Sequence, residues 1–238
     1  MGAWRFSKGS NHRKVPAMTE TALPAAEATD IRPAELAAYL AARMCHDFIS
    51  PASAIVSGLD LLEDPTAQDM RADAMDLIGA SARKLSDLLL FTRVAFGASA
   101  AAETFDAREL ERLAQGVFGH MRAELDWQVA TPAANKATAR TLLNLAQMAG
   151  AALPTGGIAR VRAVEEGGSV TIAIEATGPR ARLRPEVMAG LRGEGPGEGL
   201  HGHWVQARYV HLFVTDAGGR ILAEVGEEKV TFAVTLPA

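Results

Sequence analysis

From Pro33 onward, apolar residues recur with helical spacing. Leu36, Leu40, Met44, Phe48, Ile55, Leu59 and Leu62 follow one another at intervals of three, four and seven. Pro33 suits the first position of a helix, where its missing N–H has no partner to lose. Asp64-Pro65-Thr66 breaks the pattern, and a second helix is predicted through Met70, Ala74, Leu77, Ile78, Leu85, Leu88 and Leu89. Each helix would run for about 30 residues, or roughly 45 Å, and the short turn between them makes a helical hairpin over 32–97. Alone, such a hairpin leaves broad apolar faces in water. Two copies pairing into a four-helix bundle would cover them, so a homodimer is expected.

The run Gly97-Ala98-Ser99-Ala100-Ala101-Ala102 has linker composition, and 98–105 is read as a linker. Beyond it the periodicity mixes. Residues 107–125, 136–153 and 203–217 are predicted as helices; 158–164, 169–176, 220–225 and 229–236 alternate like strands. Helices with mostly antiparallel strands in that order predict an α+β layer domain over 106–238. Residues 1–31 carry Arg5, Lys8, Arg13 and Lys14 among Ser, Pro, Thr and Ala without apolar periodicity. They are expected to form a disordered tail, with Met18 an alternative start.

Composition narrows the classes. An apolar fraction of 48% can fill a real core, and 22% charged residues is ordinary for a protein in water. The net charge of −4 provides no global basic field, so no direct nucleic-acid partner is expected and any basic docking site must be local. The one cysteine, Cys45, rules out an intramolecular disulfide and fits a reducing cytoplasm. No apolar run approaches a membrane span and no signal-peptide stretch opens the chain, so a cytoplasmic protein without a membrane partner is expected.

On a helical wheel the apolar stripe of the first helix fills about one third of the circumference, and His46 lies roughly opposite its centre. Ser50, Ser53 and Ser57 flank it, and Arg43 lies one turn before it. These four are candidate partner contacts around an exposed imidazole. Histidine can carry a covalent intermediate, since much of it is neutral near pH 7. Asp47 could orient the ring or manage its proton. Pro51 removes one helical hydrogen bond and clashes with the Asp47 carbonyl, which predicts a kink one turn after His46. Exposed helical histidines commonly do nothing; the order His-Asp-x-x-x-Pro is what singles this one out.

His46-Asp47-Phe48-Ile49-Ser50-Pro51 resembles the phosphoacceptor box of sensor histidine kinases, which present it on the first helix of a dimeric hairpin. The rest follows the order of the kinase ATPase (Bergerat) domain. Leu142-Leu143-Asn144-Leu145 resembles the start of its asparagine box, Ala176-Thr177-Gly178-Pro179-Arg180 its first glycine box and Gly197-Glu198-Gly199-Leu200 its second. Residues 218–221 and 232–237 resemble its closing strands. The resemblance therefore implies a helical hairpin followed by an α/β sandwich.

The departures imply that this sandwich is degenerate. The family's second, metal-holding asparagine falls on Met148, which offers no hard oxygen for Mg²⁺. The adenine-reading aspartate falls on Ala176, and the last glycine of the first box on Arg180. About 18 residues separate the two glycine boxes, too few for a usual ATP lid with its flanking helix. The surviving second box is weak evidence by itself. A phosphoacceptor helix joined to such a domain, and above all 44–64, is similar to the histidine phosphotransferases of alphaproteobacterial cell-cycle phosphorelays. That resemblance implies a shuttle without ATP: the receiver domain of a hybrid histidine kinase phosphorylates His46, and downstream response regulators, DNA-binding or single-domain, accept the group on an aspartate. It implies no cofactor or metal on this chain and Mg²⁺ on the receiver.

Arg180, Arg182 and Arg184 alternate after the first glycine box and could steer an acidic receiver site. A solvated loop is the plain alternative. The pair His201 and His203, even with His211, does not make a matched set of metal ligands, Cys45 reads as a packing residue, and Trp127 and Trp204 read as core. Two other functions stay open. An active histidine kinase is disfavoured by Met148, Ala176 and Arg180. A non-catalytic dimeric scaffold or kinase regulator has no need of His46.

Overall fold

A computed structural model describes residues 31–97, 104–196 and 202–238. The expected tail, most of the linker, the second glycine box and His201 lie outside the described residues. Helix α1, Pro33–Glu63, starts at its proline and runs on through Pro51, which is buried. Asp64 closes it: its carboxylate accepts from the Thr66 N–H and hydroxyl, each at 2.7 Å. Those two bonds hold its carboxyl below the usual carboxylate range. A single 3₁₀ turn, Gln68–Met70, leads into α2, Arg71–Ala95, which packs back along α1. At Gly58 the helices approach closely: a Cβ there would lie 2.6 Å from Ile78 Cγ1 and 3.1 Å from the Ala74 carbonyl oxygen.

The hairpin buries less than its periodicity suggests. Leu59, assigned to the inward stripe, is 47% exposed, and Leu77 and Leu89 are exposed too. The seam between two helices is narrower than a stripe one third of a circumference wide, so the flank of the stripe stays in water.

Thr104 and Phe105, assigned to the linker, instead open β1, Thr104–Asp106, which pairs antiparallel with β3, Ala133–Asn135. Asp106 then caps α3, Ala107–Phe118, by accepting from the Arg108 and Glu109 N–H groups. The helix expected over 107–125 ends at Phe118; Ala123–Val129 is strand β2. Gly119 follows the helix, and Ala123, Leu125, Trp127 and Val129 alternate with Glu124, Asp126 and Gln128, a two-residue period that suits a half-buried strand. Asn135 caps α4, Lys136–Ala151. Then come β4, Gly157–Glu166; β5, Ser169–Thr177; α5, Pro185–Leu191; α6, Gly202–Asp216; β6, Arg220–Gly226; and β7, Lys229–Pro237.

The main sheet runs β2-β4-β5-β7-β6, parallel only between β2 and β4. Val161, Ile172, Ile174, Phe232 and Leu236 point from it into the core, against α4. Arg160–Asp126 at 2.6 Å and Lys229–Glu175 at 3.4 Å belong to its polar side. Trp204 is fully buried as expected; Trp127 is only half-buried at the edge of the core. The sheet and its helices form the two-layer α+β domain expected from the sequence.

Phe91, Val94 and Ala95, on the last turns of α2, belong to the core of the C-terminal domain. The hairpin is therefore rooted in that domain. None of the described helices is long and apolar enough to cross a membrane.

Candidate functional site

Helix α1 carries His46 on its open face, with 86% of its side chain exposed. Ser50, Ser53 and Ser57 are exposed along the same face, as the wheel requires. One oxygen of Asp47, Oδ1, lies 3.5 Å from His46 Nδ1. A carboxylate there favours a proton on Nδ1, leaving Nε2 at the far edge of the ring.

Arg43 sits differently from the serines. Only 16% of its side chain is exposed, because it turns toward α6. Its Nε donates to Asp47 Oδ2 at 2.8 Å, and its Nη1 donates to the Gly202 carbonyl at 2.7 Å. The same Nη1 lies 3.2 Å from His203 Nδ1. Arginine can only donate, so Nδ1 of His203 accepts and its ring is neutral. Burial first, then the Arg43 and Arg184 guanidinium groups, hold His203 below the usual histidine value, against weaker pulls from Glu186 and Asp47.

Beside this chain lies a cavity of about 130 Å³ lined by Arg43, Gln147, Arg182, Arg184, His203 and Gln206, among others. The structure thus brings Arg182 and Arg184 next to α1. Arg180 is exposed but does not line the cavity, and its backbone takes the left-handed φ of 60°. That conformation, common for glycine and costly for arginine, persists where the kinase box ends in glycine. Met148 lines the cavity, and Ala176 is fully buried in β5.

Asn144, in the segment similar to the asparagine box, is fully buried between the two domains. Its Nδ2 donates to the Ala95 carbonyl at 3.0 Å and to the Arg140 carbonyl at 2.9 Å. Its Oδ1 accepts from Gln206 Nε2 at 3.1 Å, and that amide also donates to Gln147 Oε1 at 2.7 Å. Arg140 reaches the Gly97 carbonyl, and His120 pairs with Asp87 at 2.8 Å. No sequence pattern announced this tie between α2, α4 and α6, because it depends on which carbonyls the fold brings near. His211 Nδ1 donates to the Leu191 carbonyl at 2.9 Å, and no group of three or more potential metal ligands occurs among the described residues.

The family model for the histidine phosphotransferase C-terminal domain matches residues 107–229. The protein phosphotransferase ChpT of Brucella abortus is 34% identical over 200 residues, which is 84% of this chain and 94% of that protein. A bacterial phosphotransferase of known structure superposes with a TM-score of 0.78 at 32% identity, covering 87% of this chain and 98% of the other. The chain belongs to the histidine phosphotransferase family.

Proposed function

We propose that this phosphotransferase works as the middle step of a phosphorelay, with His46 as its phosphoacceptor. The observation that carries the reading is a histidine 86% exposed on an open helix face, with a carboxylate 3.5 Å from one ring nitrogen. The donor is an aspartyl phosphate on the receiver domain of a hybrid histidine kinase. The Nε2 lone pair attacks phosphorus; the N–P bond forms as the P–O bond to the aspartate breaks, and the carboxylate leaves with the electron pair. The ring then carries a positive charge whose Nδ1–H faces Asp47, so that carboxylate stabilises the phosphorylated state. The reverse step passes the group to the aspartate of a response regulator. Mg²⁺ belongs to the receiver in this scheme, and no cofactor or metal is assigned to this chain.

Met148, Ala176 and Arg180 support transfer without ATP, since each replaces a group the kinase boxes use. Ser50, Ser53 and Ser57 leave room for a receiver to reach His46, and Arg180, Arg182 and Arg184 suit its acidic site. Two copies pairing through their hairpins are supported by Ile49, Val56 and Leu59 of α1 and Met75, Leu89 and Leu90 of α2, large apolar residues exposed in one copy. A four-helix bundle would cover them. A lone cysteine and the lack of a spanning helix among the described residues suit a cytoplasmic site of action.

The test offers the purified protein either ATP alone or a phosphorylated receiver. Label arriving only from the receiver, and absent in His46→Ala, supports the relay. Label from ATP alone makes the protein a kinase, and label from neither makes it a scaffold.

A further inference from the structure

Arg43 precedes His46 by three residues and shares its side of α1, yet the two side chains behave in opposite ways. His46 is open to solvent, and Arg43 is folded into the junction with α6. Three acceptors converge on its guanidinium: Asp47 Oδ2 on its own helix, and the Gly202 carbonyl and His203 Nδ1 on α6. A guanidinium presents its donors in a rigid plane, so anchoring one edge fixes the direction of the other. Here the anchored edge is Nη1 on α6 and the directed edge is Nε on Asp47. With Oδ2 held, the carboxylate has little freedom to rotate, and Oδ1 is the oxygen left beside His46 Nδ1.

We infer that Arg43, anchored on α6 by Gly202 and His203, is a positioning residue that sets Asp47 for its work at His46. The C-terminal domain then acts on the phosphoacceptor through this arginine, without handling nucleotide or receiver at that point. The inference rests on the reading that His46 is the phosphoacceptor. It adds a purpose for the domain: the N-terminus of α6 is a fixed abutment that keeps the Asp47 carboxylate aimed. The geometry separates this from a docking role, because a guanidinium with three internal acceptors and little exposure offers few donors to a partner. It also separates it from a simple staple between domains, because the directed edge ends on the carboxylate 3.5 Å from His46 Nδ1.

The test is single-turnover transfer from a phosphorylated receiver to the full-length protein, with receiver concentration varied. Arg43→Ala is expected to lower the maximal rate roughly ten- to hundredfold, the range seen when a supporting partner of a reactive group is lost. The half-saturating receiver concentration should stay unchanged. Arg43→Lys should restore part of the rate, since an ammonium can hold Oδ2 but cannot span to both α6 acceptors. In an Asp47→Asn background, removing Arg43 should cost nothing further, because the two act as one unit. His203→Ala leaves Arg43 and Asp47 in place and should lose roughly two- to tenfold, the weight of one hydrogen bond; it keeps the inference testable if Arg43→Ala folds poorly. A raised half-saturating concentration at unchanged maximal rate would make Arg43 a docking contact and overturn the inference. So would multiplicative losses in the double variant. Phosphorylation that persists in His46→Ala would instead sink the underlying reading, whatever Arg43 does.

Discussion

The hairpin and the C-terminal domain solve opposite problems. Of the 31 residues in α1, only Pro51 and Gly58 are buried. Of the 16 in α4, eleven are. One element spends its surface on being reachable and the other on being fixed. As the proposed phosphoacceptor, His46 would need an open face and room for a second protein, and a helix that buries one narrow flank supplies both. That same helix is poorly held by its own packing. The ties at its base, where α2 enters the C-terminal core and Arg43 reaches α6, are what give the His46 face a defined position.

The contrast can be broken first where it is strongest. Leu143→Ala, at a fully buried position in α4, should destabilise the protein by about 2–5 kcal/mol in denaturant unfolding. Val56→Glu, at a position 56% exposed, should leave the unfolding of the C-terminal domain nearly unchanged while abolishing the proposed dimer in sedimentation. Equal unfolding losses from the two would show that the hairpin and the domain are not differently built. Next in size is the joint between them. Asn144→Ala should cost about 1–3 kcal/mol, since it strands the buried Ala95 carbonyl and a Gln206 N–H. Faster amide exchange confined to the last turn of α2 and to α6 would locate that loss at the junction; uniform loosening would argue against a local tie.

The smallest effect is a pH dependence. His203 sits below its usual value of 6.5 in the folded protein, so the unfolded chain takes up its proton first as the pH falls. Its contribution to stability is complete above about pH 6.5 and is lost as pH drops through the folded value. His203→Gln keeps an acceptor for Arg43 and does not titrate. Stability of that variant should therefore fall less steeply below pH 6.5. Identical curves would show that His203 binds its proton equally well folded and unfolded, and that Arg43 does not rest on a neutral ring.

Much of this was legible because regular periods are local. The spacing from Leu36 to Leu62 marks α1, and the alternations in 158–164, 169–176, 220–225 and 229–236 fall within the strands β4, β5, β6 and β7. Strand β2 is equally legible in the alternation from Ala123 to Val129, but the helical period before it runs up to Gly119 without a proline to mark the break. β1 and β3 span three residues each, too short for any period to show. At the site, the exposure of His46 followed from its place on the wheel. The burial of Arg43 did not, because the wheel puts it beside His46 and only α6, some 160 positions along the chain, turns it inward. The same holds for Asn144, whose partners lie on α2 and α6.

If transfer proceeds without ATP as proposed, Asn144 also bears on whether nucleotide chemistry could be built into this fold. Writing asparagine at 148, aspartate at 176 and glycine at 180 would restore the letters of the kinase boxes. It would leave Asn144 engaged with the Ala95 carbonyl and Gln206. Any ligand that claimed the Asn144 amide would have to release the foot of α2, and with it the footing of the hairpin that presents His46. Such a redesign is thus opposed by a load path running through the molecule, and must first give α2 a different anchor.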